Sequence, residues 1–212
     1  MLTFNISSNI DEIEKYLNDI QKKRLPAIVI KSLNKTGLGL TRELSKKSID
    51  QLENPTKFTQ NAFKYYRAKR KLMVATVYIM DKQTAYLHYQ IRGGKRSAKN
   101  KVIITPNKIS TKLNSHGNIK RSKGKSGVLS KAHQEGTKFF TGTPIGKHHG
   151  EYYGVYRRMG TKKNRKLRVE LSYRHQVKYK KKFAFDDICL KYAKGIFQNN
   201  FEKYALEDGL FQ

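Results

Sequence analysis

From Lys82 to Gln134 the chain runs 53 residues without an aspartate or a glutamate, while placing 13 lysines and arginines in the same stretch. Such a segment cannot neutralise itself. It must either hold its cations apart in solvent or meet a surface of opposite sign. The asymmetry reaches further: residues 1–81 hold 15 basic and 8 acidic residues, residues 82–185 hold 27 and 3, and residues 186–212 hold 3 and 5. The whole chain of 212 residues carries a formal charge of +29. Of its 45 basic residues 33 are lysines, so a coding preference accounts for lysine over arginine but not for the missing acids. Solubility alone asks for a net charge of only a few units. The distribution therefore points to an anionic partner, nucleic acid or an acidic protein face, and charge alone does not choose between them.

A solvated polymer is excluded by the aromatics. Thirteen tyrosines and ten phenylalanines, within a hydrophobic fraction of 37%, supply a modest core that basic loops can decorate. The length fits one domain over residues 1–212. Within it we read a helical part at 1–53, a β-rich basic part at 72–185 and a closing helix at 186–208. No apolar run is long enough for a membrane span. Met1 to Asn5 shows no signal-peptide pattern. The single cysteine, Cys189, forms no internal disulfide and leaves no Cys-rich zinc site, which fits a reducing compartment.

Ser8-x-x-Asp11 reads as a capping box, and Ile10, Ile13, Leu17 and Ile20 follow at helical spacing. Pro26 fits the first position of a second helix, whose apolar stripe Ala27, Ile30, Leu33, Gly37, Leu40 and Leu44 runs to about Ile49 before Asn54-Pro55. Gly37 and Gly39 either permit close packing there or mark a break. Pro55 to Lys71 reads as a connector and Leu72 to Met80 as a buried strand. Thr84 to Ile91 reads as a helix between Asp81 and Gly93, and Val102 to Ile104 as a short strand. Residues 107–136 and 141–150 read as long loops. Tyr152–Met159 and Lys166–Tyr173 form a hairpin, with Leu167, Val169, Leu171 and Tyr173 on one face. A last helix runs from Asp186 to about Asp208, with Gly209 as its stop. The fold class is α+β: N-terminal helices and a C-terminal helix packed on a small antiparallel sheet, with long basic loops.

The residues for catalysis are sparse. The basic centre offers only Glu135, Glu151 and Glu170 to a metal nuclease, and the six histidines show no metal-ligand spacing. Cys189 reads as a small core residue. Gly124-Lys125-Ser126 resembles the end of a phosphate-binding loop, but Ile119 stands where its first glycine is required. Gly93-Gly94-Lys95-Arg96 is either a phosphate cradle or a plain glycine turn. We therefore expect no enzyme, no cofactor and no metal. No zinc-finger, basic-zipper or RNA-recognition signature is present either. Candidate contacts to DNA or a partner are Lys95, Arg96, Lys99, Lys101, Lys120, Arg121, Lys123, Lys125, Arg157, Arg158, Lys162, Lys163 and Arg165. Interleaved Tyr and Phe allow stacking alongside sequence-independent phosphate contact.

The order of short segments carries a resemblance. Leu25-Pro26-Ala27-Ile28, Leu33-Asn34-Lys35-Thr36, Asn54-Pro55 through Phe58-Thr59 and Ala62 come first. Ala85-Tyr86-Leu87 before Gly93-Gly94-Lys95-Arg96, Pro106 before Leu113 to Ile119, Gly154 to Arg158, and the aromatic stretch Tyr179 to Phe185 follow. Over residues 20–205 the chain resembles tailed-bacteriophage minor tail protein Z and other tail-completion or head–tail joining proteins. The resemblance implies a non-enzymatic virion component, assembled in the host cytoplasm. It would form a homo-oligomeric ring with portal, neck or tail proteins as neighbours, close to packaged double-stranded DNA. It transfers no catalytic residue. A free, sequence-independent nucleic-acid-binding protein is the alternative, and a nuclease a distant third.

Overall fold

The computed structural model describes residues 10–98, 102–107, 113–119, 127–132, 138–144, 153–161, 164 and 166–210. Helices and small antiparallel sheets make up an α+β fold. The described chain divides into two compact units. One, the helical unit, gathers residues 10–51, 57–85 and 184–210; the other, the basic unit, gathers 52–56 and 86–183. The proposed capping residue Ser8 lies outside the described residues.

In the helical unit Ile10–Asp19 (α1) passes through the π-helical turn Ile20–Arg24 into Leu25–Gln51 (α2) without a break. Pro26 does not begin a separate helix. A proline inside a helix withdraws one N–H from the carbonyl four residues back, here that of Lys22. The Arg70 guanidinium donates to that oxygen at 2.8 Å, so the carbonyl keeps a partner.

The buried seam of α2 also differs from the expected stripe. It runs Ile28, Ser32, Thr36, Leu40, Leu44, Ser48, every fourth residue, and Ala27 is exposed. Three of the six are hydroxyl side chains, which apolar periodicity overlooks. They are buried because they are satisfied: Ser32 Oγ donates to Ile28 O and Ser48 Oγ to Ser45 O, each at 2.7 Å, and Thr36 Oγ1 accepts from Asn200 Nδ2 at 3.0 Å. Their small size lets Phe185–Glu207 (α6) pack along α2. Gly37 and Gly39 are close-packing positions, not a break. A Cβ on Gly37 would come within 2.9 Å of the Tyr65 ring, and one on Gly39 would collide with the Tyr192 hydroxyl. Arg24 Nε donates to Asp208 Oδ2 at 2.8 Å and Lys31 pairs with Glu207 at 3.2 Å, fastening the C-terminal end of α6. At its other end the Ala184 N–H donates to Gln51 Oε1 at 2.9 Å. Gly209, at φ 72°, ends the last turn as expected.

The connector at 55–71 contains structure: Lys57–Gln60 (α3) and Phe63–Tyr66 (β1), which pairs antiparallel with Thr76–Ile79 (β2). The expected strand Leu72–Met80 is thus halved. Lys69 and Leu72 exchange both backbone hydrogen bonds at 3.0 Å, closing a tight turn at Arg70-Lys71. This leaves Leu72, Met73 and Val74 exposed at 66%, 47% and 51%.

Asp81–Arg92 (α4) forms as expected and ends at Gly93, φ 72°. In the basic unit the strands are Gly94–Ser97 (β3), Ile103–Pro106 (β4), Phe139–Gly142 (β5), Gly154–Met159 (β6), Lys166–Arg174 (β7) and Gln176–Tyr179 (β8). β3 pairs with β8, and a second sheet has the order β4-β7-β6-β5, all antiparallel. The β6–β7 hairpin is the one expected, but its alternation is broken. Val155 faces Leu171 while Tyr156 faces Val169, so Glu170 is an extra residue on β7. Leu167 and Val169 therefore fall on the Tyr156 face, and Leu171 and Tyr173 on the opposite, Val155 face. Val155, Tyr156 and Leu171 are all but fully buried. Within the expected 107–136 loop, Leu113–Ile119 closes on itself through Asn114 Oδ1, which accepts from the His116 and Asn118 N–H groups at 3.0 and 2.9 Å. Val128–Ala132 is a short helix, α5. The rest of that loop and residues 145–150 lie outside the described residues.

Candidate polyanion-binding surface

The basic charge follows the fold. The basic unit holds 26 lysines and arginines against four acids, whereas the helical unit holds 19 against 12. Of the four acids, Glu53 is engaged by Lys182 at 2.6 Å and Glu170 is buried at 3% exposure beside the bulge. Glu135 and Glu151 lie outside the described residues.

Two strand pairs set the geometry. The turn from Arg174 to Gln176 continues β7 into β8, and Ala98 N–H donates to His175 O at 2.8 Å, so β3–β8 and β4–β7 follow each other along the chain as one interrupted ribbon. Along it, residues that face each other across strands share a side of the sheet. Lys95 stands opposite Lys178, and Arg157 opposite Arg168. Like charges in direct cross-strand register work against the sheet. A sequence selected for stability alone would place an acid in one of each pair.

Neighbouring strand residues point to opposite faces, which divides the expected contacts. Lys95 shares a face with Lys178, Ser97 and Gln176; Arg96 shares the other with Val177 and Tyr179. Arg157 lies on the face of Arg168 and Phe139, while Arg158 lies on that of Tyr156. Each of these two guanidiniums is held over an aromatic ring of β5: Arg157 5.7 Å from the Phe139 centroid and Arg158 4.5 Å from that of Phe140. The cations are thus preplaced on the sheet, with part of their rotamer freedom already given up. Lys95, Arg96, Arg157 and Arg158 are all exposed. The structure brings Lys95 and Arg157 into basic pairs and separates each from its sequence neighbour. Lys99, Lys101, Lys120, Arg121, Lys123, Lys125, Lys162, Lys163 and Arg165 lie outside the described residues.

Sequence reasoning missed Arg168 and Lys178. The expected hairpin points to Arg168, because pairing its strand ends Met159 and Lys166 sets Arg168 across from Arg157. Lys178 requires β8, whose basic-aromatic stretch reads only as an aromatic segment. The glycine pair before Lys95 is a turn: Gly93 and Gly94 have φ of 72° and 113°, and a Cβ on Gly93 would press within 3.3 Å of Tyr179 O and Lys181 N.

Among the described residues no group of three or more His, Cys, Asp and Glu is placed to hold a metal ion. His88 lies against the Tyr89 ring at 3.8 Å, and His116 Nδ1 is 3.0 Å from Asn54 O. In the helical unit burial, and then the charge of Asp186, push the Cys189 thiol up to about 11. It is therefore protonated at neutral pH and a poor nucleophile. No helix among the described residues is long and apolar enough to cross a membrane. Comparison with known protein families, with curated proteins and with solved structures finds no match in any of the three.

Proposed function

We propose that this protein is a structural, non-enzymatic component of a tailed-phage particle, acting at the tail or the head–tail interface. Its basic unit docks there on a polyanionic neighbour, packaged DNA or the acidic face of another virion protein. The observation that carries the docking role is the match between charge and fold: 26 bases and four acids within one compact unit, with like charges facing each other at Lys95–Lys178 and Arg157–Arg168. A polyanion set against Lys95 and Lys178 turns their mutual repulsion into a binding contribution. The placement in a virion rests on the ordered short segments between residues 20 and 205.

Quantitative mass spectrometry of purified particles tests the reading. A small fixed copy number per particle, on the order of 3–12 as closed rings allow, is the expected result. Absence from the particles overturns the virion role. The second reading, a free sequence-independent nucleic-acid-binding protein, draws on the same basic pairs. It predicts that the isolated chain binds duplex DNA tightly at low salt and loses that affinity by orders of magnitude as salt rises.

A further inference from the structure

The helical unit has its own cationic cleft, independent of the docking role of the basic unit. Between α2 and α6 a cavity of about 360 Å³ is lined by Lys35, Arg42, Glu43 and Lys46 from α2 and by Tyr192, Ile196 and Asn200 from α6. Gly39 lies on the face of α2 that Lys35, Arg42 and Lys46 share at spacings of seven and four residues. The Tyr192 hydroxyl takes the place a side chain at Gly39 would fill, which sets it at the edge of the cavity. Lys35, Arg42 and Lys46 are exposed, and none has an ion-pair partner among the described residues; Glu43, the one carboxylate of the lining, pairs with Lys47 at 3.9 Å, so three cations remain against it. The Tyr192 hydroxyl likewise has no hydrogen-bond partner there. Three cations and a hydroxyl thus line one hollow together with the apolar side chains of Leu38 and Ile196.

We infer that this cleft binds an acidic peptide segment of a partner protein, one apolar side chain seated between Leu38 and Ile196 and flanking carboxylates on Lys35, Arg42 and Lys46. Length and the apolar part of the lining select this ligand. Lys35 to Lys46 spans about 16 Å of helix axis, longer than an inorganic anion. Apolar lining gains nothing from a phosphate chain but does gain from a leucine or phenylalanine side chain. Arg42 offers a fork that matches a carboxylate, and Tyr192 donates a further hydrogen bond.

The test uses the full chain, ¹⁵N-labelled, and a short synthetic peptide of glutamates around a central leucine–phenylalanine pair. The Gly39 and Asn200 amides report the cleft, and Gly94 on β3 reports the basic unit, so the two readings fail separately. The expected result is a saturable shift of Gly39 and Asn200 at peptide concentrations up to ~1 mM. Replacing Lys35 and Arg42 by glutamine should weaken binding by about tenfold or more, and Tyr192→Phe should weaken it several-fold while leaving the fold intact. The same peptide with glutamines for glutamates should leave Gly39 unmoved. Three outcomes overturn the inference: Gly39 stays still while Gly94 moves; tripolyphosphate shifts Gly39 as strongly as the peptide; or duplex DNA saturates the shift at lower concentration.

Discussion

Asn34 holds Ala68 the way one strand holds the next: its Oδ1 accepts the Ala68 N–H at 2.8 Å and its Nδ2 donates to the Ala68 carbonyl at 3.2 Å. Ala68 lies just past β1, where the chain leaves the sheet and has no strand partner of its own, and it is buried. The side-chain amide therefore fastens the β1–β2 hairpin to α2. Asn34→Ala leaves both groups unsatisfied and should cost about 1–3 kcal/mol. Asn34→Asp keeps the acceptor, loses the donor and should fall between the two. Urea midpoints measure both.

Gly39 and Tyr192 compete for one space. Gly39→Ala would ordinarily gain up to ~1 kcal/mol of helix propensity; here it should destabilise, because the new methyl meets the Tyr192 hydroxyl. In the Tyr192→Phe background the penalty should shrink. A double-mutant cycle on thermal denaturation gives the coupling, and strict additivity would show that the two do not touch.

Lys178→Glu separates stability from binding. Opposite Lys95 it converts a repulsive pair into an attractive one, so the sheet should gain roughly 0.2–1 kcal/mol. Affinity for duplex DNA or an acidic protein surface should fall, and the salt dependence between about 50 and about 200 mM should become shallower. A drop in stability alongside the drop in binding would contradict the cross-strand account.

The thiol of Cys189 sets a pH response. Its folded pKa of about 11 stands above the ordinary 9.0, so the folded chain keeps this proton when the unfolded chain has released it. The contribution is fully present below pH 9 and is lost as pH rises through about 11. Cys189→Ala should remove that part of the alkaline decline. The difference between the two melting-temperature profiles isolates it from the titrating lysines.

What the sequence disclosed follows from which forces act locally. The final helix, α4 and the 160–164 hairpin carry strong periodicity or turn chemistry, and they formed where these signals lay. β1, β5 and β8 are four-residue strands whose partners lie elsewhere in the chain, and four residues are too few to establish a period. The seam of α2 escapes any hydropathy pattern because Ser32 and Ser48 satisfy their hydroxyls within the helix and Thr36 satisfies its own through Asn200 on α6, so all three pack as core. The bulge at Glu170 shows the limit of alternation: one extra residue moves Leu167 and Val169 to the face opposite Leu171. For the basic surface, charge density was plain in the composition. Its arrangement was not, because Lys95 meets Lys178 across 83 positions of sequence.

The helical unit is assembled from segments on both sides of the basic one, and this orders events at the ribosome. Residues 10–85 are synthesised with the Ile28–Ser48 seam of α2 still lacking α6, its partner from 185 onward. The basic unit, by contrast, is complete in sequence once Phe183 has emerged. A nascent chain therefore presents its cationic part before its helical part can close. Polyanions of the translation machinery, ribosomal RNA first among them, meet that cationic part earlier than its eventual neighbours do.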